Sequence, residues 1–136
     1  MNRLPARVTE IRINEGVCRI GFESRGASLS MVGLEPPAGL AVGREVELGI
    51  KATHLILSRH APEETTLSNR LPVRCTGWRE GEILASVMLE FREIALEAIV
   101  PHEALERLSP RKGEALYASF QAAELSIVSL EREEGR

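Results

Sequence analysis

Asn2-Arg3-Leu4-Pro5 opens the chain, and Asn69-Arg70-Leu71-Pro72 repeats it residue for residue at an offset of 67. The likeness continues beyond the motif. Gly43 followed by Ile50-Lys51-Ala52 is answered by Gly113 followed by Phe120-Gln121-Ala122, now at an offset of 70. The second copy therefore holds about one extra helical turn of chain. So long a period marks two copies of one small domain rather than a solenoid of short repeats. Each copy, of about 65 residues, would bury only a thin core alone. The copies are expected to pack together or to oligomerise.

Working outward from the repeat, the dominant period is two. Cys18, Ile20 and Phe22 alternate with Arg19, Gly21 and Glu23. Val46, Leu48 and Ile50 do the same, as do Leu116, Ala118, Phe120 and Ala122. The longest run is Ile83, Ala85, Val87, Leu89 and Phe91, followed by Ile94, Leu96 and Ala98. This alternation predicts strands with one buried and one wet face. Asn14-Glu15-Gly16 and Glu80-Gly81 supply turns. About five short strands per copy suit a small barrel. The copies differ in the middle. Gly33-Leu34-Glu35-Pro36-Pro37-Ala38-Gly39 excludes a regular helix. Pro101-His102-Glu103-Ala104-Leu105-Glu106-Arg107-Leu108 predicts one short helix, with Pro101 at its first position and Ser109-Pro110 closing it. The expected class is mainly β, with two tandem repeats at 1–60 and 68–130. A polar link joins them at 61–67, and a frayed, charged tail follows at 131–136.

Composition narrows the function. A formal charge of −3 argues against a nucleic-acid binder, which needs a basic stripe. No apolar run reaches the roughly 18 residues of a membrane span, and no signal pattern opens the chain, so a cytoplasmic protein is expected. Cys18 and Cys75 lie in strand-like patterns and read as buried free thiols. No phosphate loop, nucleophile elbow or paired-histidine helix occurs, and His54, His60 and His102 have no metal-ligand spacing, so neither an enzyme nor a metal site is expected.

Hydroxyls, amides and one cation remain at the copy edges. Thr65-Thr66-Leu67-Ser68-Asn69 opens the second copy, and Lys51-Ala52-Thr53 sits on the last long strand of the first. Directed N–H and O–H donors with modest positive charge are what a small tetrahedral oxyanion requires. From spacing alone the plainer reading prevails, a solvated strand lysine and a polar linker.

The order of a hydroxyl-rich stretch, Asn-Arg-Leu-Pro, a hairpin, and then Gly43-x-x-Val46-x-x-x-Ile50-Lys51-Ala52-Thr53 resembles the Mop or TOBE domain, a molybdate-binding module. The likeness spans nearly the whole chain. Two copies resemble the tandem arrangement of small di-Mop proteins and of the C-terminal regulatory domain of molybdate-importer ATPases. The resemblance implies two small barrels of the oligonucleotide/oligosaccharide-binding type, with anion sites at interfaces between domains or subunits. The family's opening Ser-Ala-Arg-Asn is matched here by Thr66, Leu67, Ser68 and Asn69, with Ser68 in place of arginine. The first copy begins at Met1-Asn2 and has no such hydroxyl. The family lysine is Lys51, followed by Thr53; its counterpart in the second copy is Gln121, followed by Ala123. The resemblance thus implies one site for molybdate or tungstate, built from Lys51, Thr53, Thr66, Ser68 and Asn69, with no organic cofactor. It implies a homo-oligomer, and a sensing domain fused or docked to a transporter ATPase. The alternatives are a free-standing intracellular molybdate-storage protein and a structural interaction module that has lost its anion.

Overall fold

The computed structural model describes residues 1–131. It contains ten strands, one α-helix and two short 3-10 turns. The strands are β1 (Asn2–Asn14), β2 (Val17–Ser24), β3 (Ala27–Gly33), β4 (Glu45–Ile50), β5 (Ile56–Ser58), β6 (Asn69–Glu80), β7 (Leu84–Phe91), β8 (Ile94–Pro101), β9 (Ala115–Phe120) and β10 (Ser126–Leu130). Helix α1 is His102–Leu108, and the 3-10 turns are Ala52–His54 and Ala122–Glu124. The mainly β reading holds, and the strands come five to a half.

The alternating pattern is the burial pattern. Leu4, Ala6 and Val8 point inward from β1, and Leu71, Val73 and Cys75 from the matching places of β6. Phe22, Phe91 and Phe120 are each at most 1% exposed, and one continuous apolar core runs through both halves. Both cysteines are free and buried; burial pushes the Cys75 thiol up from its ordinary value. Both long first strands carry an irregularity at equivalent places, between Val8 and Glu10 and between Cys75 and Gly77. Such a bulge increases twist and bends the strand. Each strand thereby pairs with one neighbour near its start and another near its end: β1 with β4 and then β2, β6 with β9 and then β7.

The expected turns form. Asn14 pairs with Val17 around Glu15 (φ 51°) and Gly16 (φ 79°), a tight hairpin with both central residues left-handed. Two details differ from the reading by period. Ile83 is 80% exposed, so the inward alternation starts at Ala85. Pro101 ends β8 in extended geometry (ψ 145°) and precedes the first helical residue instead of occupying it. Ser109, left-handed at φ 46°, closes the helix by donating its N–H to Leu105 O at 2.8 Å.

The last strand of each half leaves its own half. The two sheets run β10-β4-β1-β2-β3 and β5-β9-β6-β7-β8, so β5 pairs with β9 and β10 pairs with β4. The exchange is reciprocal. A pseudo-two-fold axis therefore relates the sheets, and the halves are interlocked. Side chains repeat the symmetry. Asn2 binds the backbone of Glu97 in β8, and Asn69 binds the backbone of Ser30 in β3. Arg25 donates to Arg92 O at 2.7 Å, and Arg92 donates to Arg25 O in return. Glu131 is anchored, since its N–H donates to Glu45 O at 2.9 Å and its carbonyl accepts from Arg44 Nη2 at 2.9 Å. The rest of the tail expected to fray, 132–136, lies outside the described residues.

Candidate functional site

Lys51-Ala52-Thr53 does not lie on the strand as expected: β4 ends at Ile50, and Lys51 leads into the turn that follows. Its backbone is extended (φ −68°, ψ 142°), its carbonyl accepts His54 N–H at 2.9 Å, and this closes the turn Ala52–His54. The same geometry recurs where β9 ends, with Gln121 accepting Glu124 N–H at 3.0 Å over the turn Ala122–Glu124. Lys51 and Thr53 are exposed. Thr66 and Ser68 are exposed on the link that enters β6, where Leu67 N–H reaches Thr65 Oγ1 at 3.4 Å. Among the described residues, the side chains of Lys51, Thr53, Thr66 and Ser68 have no hydrogen-bond or ion-pair partner, so their donors face solvent.

Asn69 differs from the other four. It is fully buried, its Nδ2 donates to Ser30 O at 2.9 Å, and its Oδ1 accepts Ser30 N–H at 2.8 Å. β3 lies at the edge of its sheet, and an edge strand leaves backbone groups without a strand partner. Asn69 supplies those partners from the other half. Sequence spacing placed it beside the hydroxyls and gave no sign of this duty.

Strand register divides the remaining residues into two groups. Asn69 pairs with Phe120, so the link bearing Thr66 and Ser68 enters beside the exit of β9 at Gln121. Asn2 pairs with Ile50, so Lys51 leaves β4 beside the chain start. The hydroxyls thus lie next to a glutamine, and the lysine and Thr53 form a separate group. The two exits meet at one pair, His54 and Glu124. His54 Nδ1 lies 2.9 Å from Glu124 Oε2, at ion-pair distance but without the alignment of a hydrogen bond. These residues are separated by the same offset of 70 that relates Lys51 to Gln121, so they are each other's counterparts. That offset was the available signal; their meeting across the pseudo-two-fold required the fold.

A second electrostatic feature lies away from these turns. Arg59, just after β5, donates from Nη2 to Leu108 O at 2.8 Å and to Glu114 Oε1 at 3.3 Å. The hydrogen bond from Arg59, seconded by Arg111 N–H at 3.0 Å, holds the Glu114 carboxyl down at about 2. The pair fastens the link to the second half, since Glu114 lies just before β9.

No protein-family model matches the chain, and no curated protein matches it by sequence. A solved structure does. The cytoplasmic molybdate-binding protein ModG, in a crystal form with molybdate bound, superposes with a TM-score of 0.85. The match covers 93% of this chain and 94% of that one, at 20% sequence identity. Across that span the chain has the fold of ModG.

Proposed function

We propose that this chain is a non-catalytic binding module for a doubly charged tetrahedral oxyanion, molybdate or tungstate, in the cytoplasm. The observation that carries the reading is the shared fold with ModG, a molybdate-binding protein, over nearly the whole of both chains. The solvent-facing donors of Lys51, Thr53, Thr66 and Ser68 support it chemically. Hydrogen bonds to a charged group are worth about 1.5–3 kcal/mol each, so four or five suffice for micromolar binding after the cost of association. In this reading Asn69 positions the hydroxyl stretch by anchoring β6 to Ser30. Lys51 and the hydroxyls belong to different half-sites, so a full donor set is best assembled when a second copy brings its Lys51 to Thr66 and Ser68. The binding form is then a homo-oligomer.

Calorimetric titration with molybdate, tungstate and sulfate tests the reading. Binding of molybdate or tungstate, weakened at least about tenfold in Lys51→Ala, is the expected result. No heat with any of the three anions refutes it, and leaves a structural interaction module. Two settings remain for an anion-binding form, the sensing domain of a molybdate-importer ATPase and a free-standing storage protein. Mass in solution with and without molybdate separates them, since a storage protein forms higher oligomers holding several anions.

A further inference from the structure

Helix α1 has no counterpart in the first half, and it walls a cavity of about 500 Å³. Strand β5 lines the cavity too, so the site exists only because the halves exchange strands. Its floor is core: Leu55, Val87 and Leu105 are at most 3% exposed. Its sides, Leu57, Ile99 and Val100, are only half-buried and keep apolar surface in contact with water. Covering such surface is worth about 25 cal/mol per Å². The volume lies within the range of about 300–1,000 Å³ typical of small-molecule sites.

Charge at the rim defines the guest further. Two arginines line the cavity, Arg59 and Arg107. Arg59 is committed to Glu114 and to Leu108 O. Arg107, in the last turn of α1, is exposed and has no hydrogen-bond or ion-pair partner among the described residues. Glu106 lies 3.3 Å from His102 Nε2 and Glu114 is held by Arg59, while Glu103, one turn before Arg107 on α1, makes no ion pair with it among the described residues. A free guanidinium thus stands over an apolar well. An apolar side chain from a second copy would fill the well and leave that cation unused.

We propose that this cavity binds a small amphipathic organic anion, with an aliphatic or aromatic body and one carboxylate or sulfonate. The body packs on Leu57, Ile99 and Val100, and the head group takes a charge-assisted hydrogen bond from Arg107. The cavity borders the lysine half-site, since Thr53 lines it, but Arg107 rather than Lys51 holds the head group, and the proposal stands whether or not molybdate binds.

Octanoate is the probe, titrated calorimetrically into the full chain beside 1-octanol, which lacks the charge, and acetate, which lacks the tail. Octanoate should bind at least about tenfold more tightly than either. Arg107→Gln should reduce octanoate to the octanol level. Ala104→Leu, which fills the cavity from α1, should abolish octanoate binding while the urea midpoint stays as in the parent. Octanoate binding no tighter than octanol or acetate overturns the proposal, as does binding indifferent to both substitutions. It is also overturned if sedimentation shows Ala104→Leu dissociating an oligomer, because the cavity is then filled by a second copy.

Discussion

Replacing Asn69 by alanine tests how the halves are held together. The side chain is fully buried and makes two bonds to the backbone of a single residue, Ser30, itself only 8% exposed. Alanine deletes both partners and leaves an N–H and a C=O of the β3 edge unsatisfied where water barely reaches. Each such group costs about 1–3 kcal/mol, so Asn69→Ala is expected to lower stability by about 2–6 kcal/mol. Domains of this kind have about 5–15 kcal/mol in total, so the loss is a large share of it. Asn2→Ala removes the equivalent bonds to Glu97 at 2.8 Å each, in a partly solvated place, and should cost about half as much. Urea unfolding, followed by fluorescence of the single tryptophan, Trp78, and by far-ultraviolet circular dichroism, measures both effects. Trp78 lies in β6 and reports on the second half, whereas dichroism reports on both. Exchanged strands make one cooperative unit, so the two probes should give coincident transitions. A loss below about 0.5 kcal/mol for Asn69→Ala, or a tryptophan transition distinct from the dichroism one, refutes the interlocked account.

Other outcomes follow from single contacts. Glu114 is held at about 2, below its ordinary 4.5, so its pairing stabilises the fold fully above about pH 4.5 and loses that effect as pH falls toward 2. Glu114→Gln should therefore lower the urea midpoint at pH 7 and flatten the acid limb between pH 4.5 and 2; an unchanged limb contradicts the pairing. A Cβ at Gly81 would lie 2.6 Å from the carbonyl oxygen of Leu84, so Gly81→Ala should destabilise by about 1–3 kcal/mol. Gly33→Ala meets nothing within 4 Å and should be neutral or slightly stabilising in the same denaturation assay. Gln121→Lys places a cation beside Thr66 and Ser68, and calorimetry should show tighter molybdate binding or more anion bound per chain. No gain in either separates those hydroxyls from anion binding.

Much of the architecture is legible without coordinates, because side-chain alternation and turn chemistry are local. The run Val46, Leu48, Ile50 must put one face inward wherever the strand ends up, and Asn14-Glu15-Gly16 must turn. The helix was likewise legible from Pro101 to Leu108, with an error of one place at Pro101, since a proline suits both the first helical position and the residue before it. Ile83 was misread because its pattern matched the strand, whereas only three-dimensional packing ends a buried face.

Duplication, strand periodicity, the single helix and the donor chemistry at Lys51, Thr53, Thr66 and Ser68 were written in the residues themselves. Tertiary structure alone decided the partners. Ile56-Leu57-Ser58 has the same local preference beside β4 as beside β9, and only the shared core and the reach of the link select β9. Asn69 reads as a free amide until an open sheet edge from the other half arrives against it. His54 and Glu124 become a pair only when a pseudo-two-fold axis brings two equivalent turns into contact. Periodicity acts over a few residues and survives in a string of letters, whereas pairing between distant segments depends on a geometry that exists only once the whole chain has closed on itself.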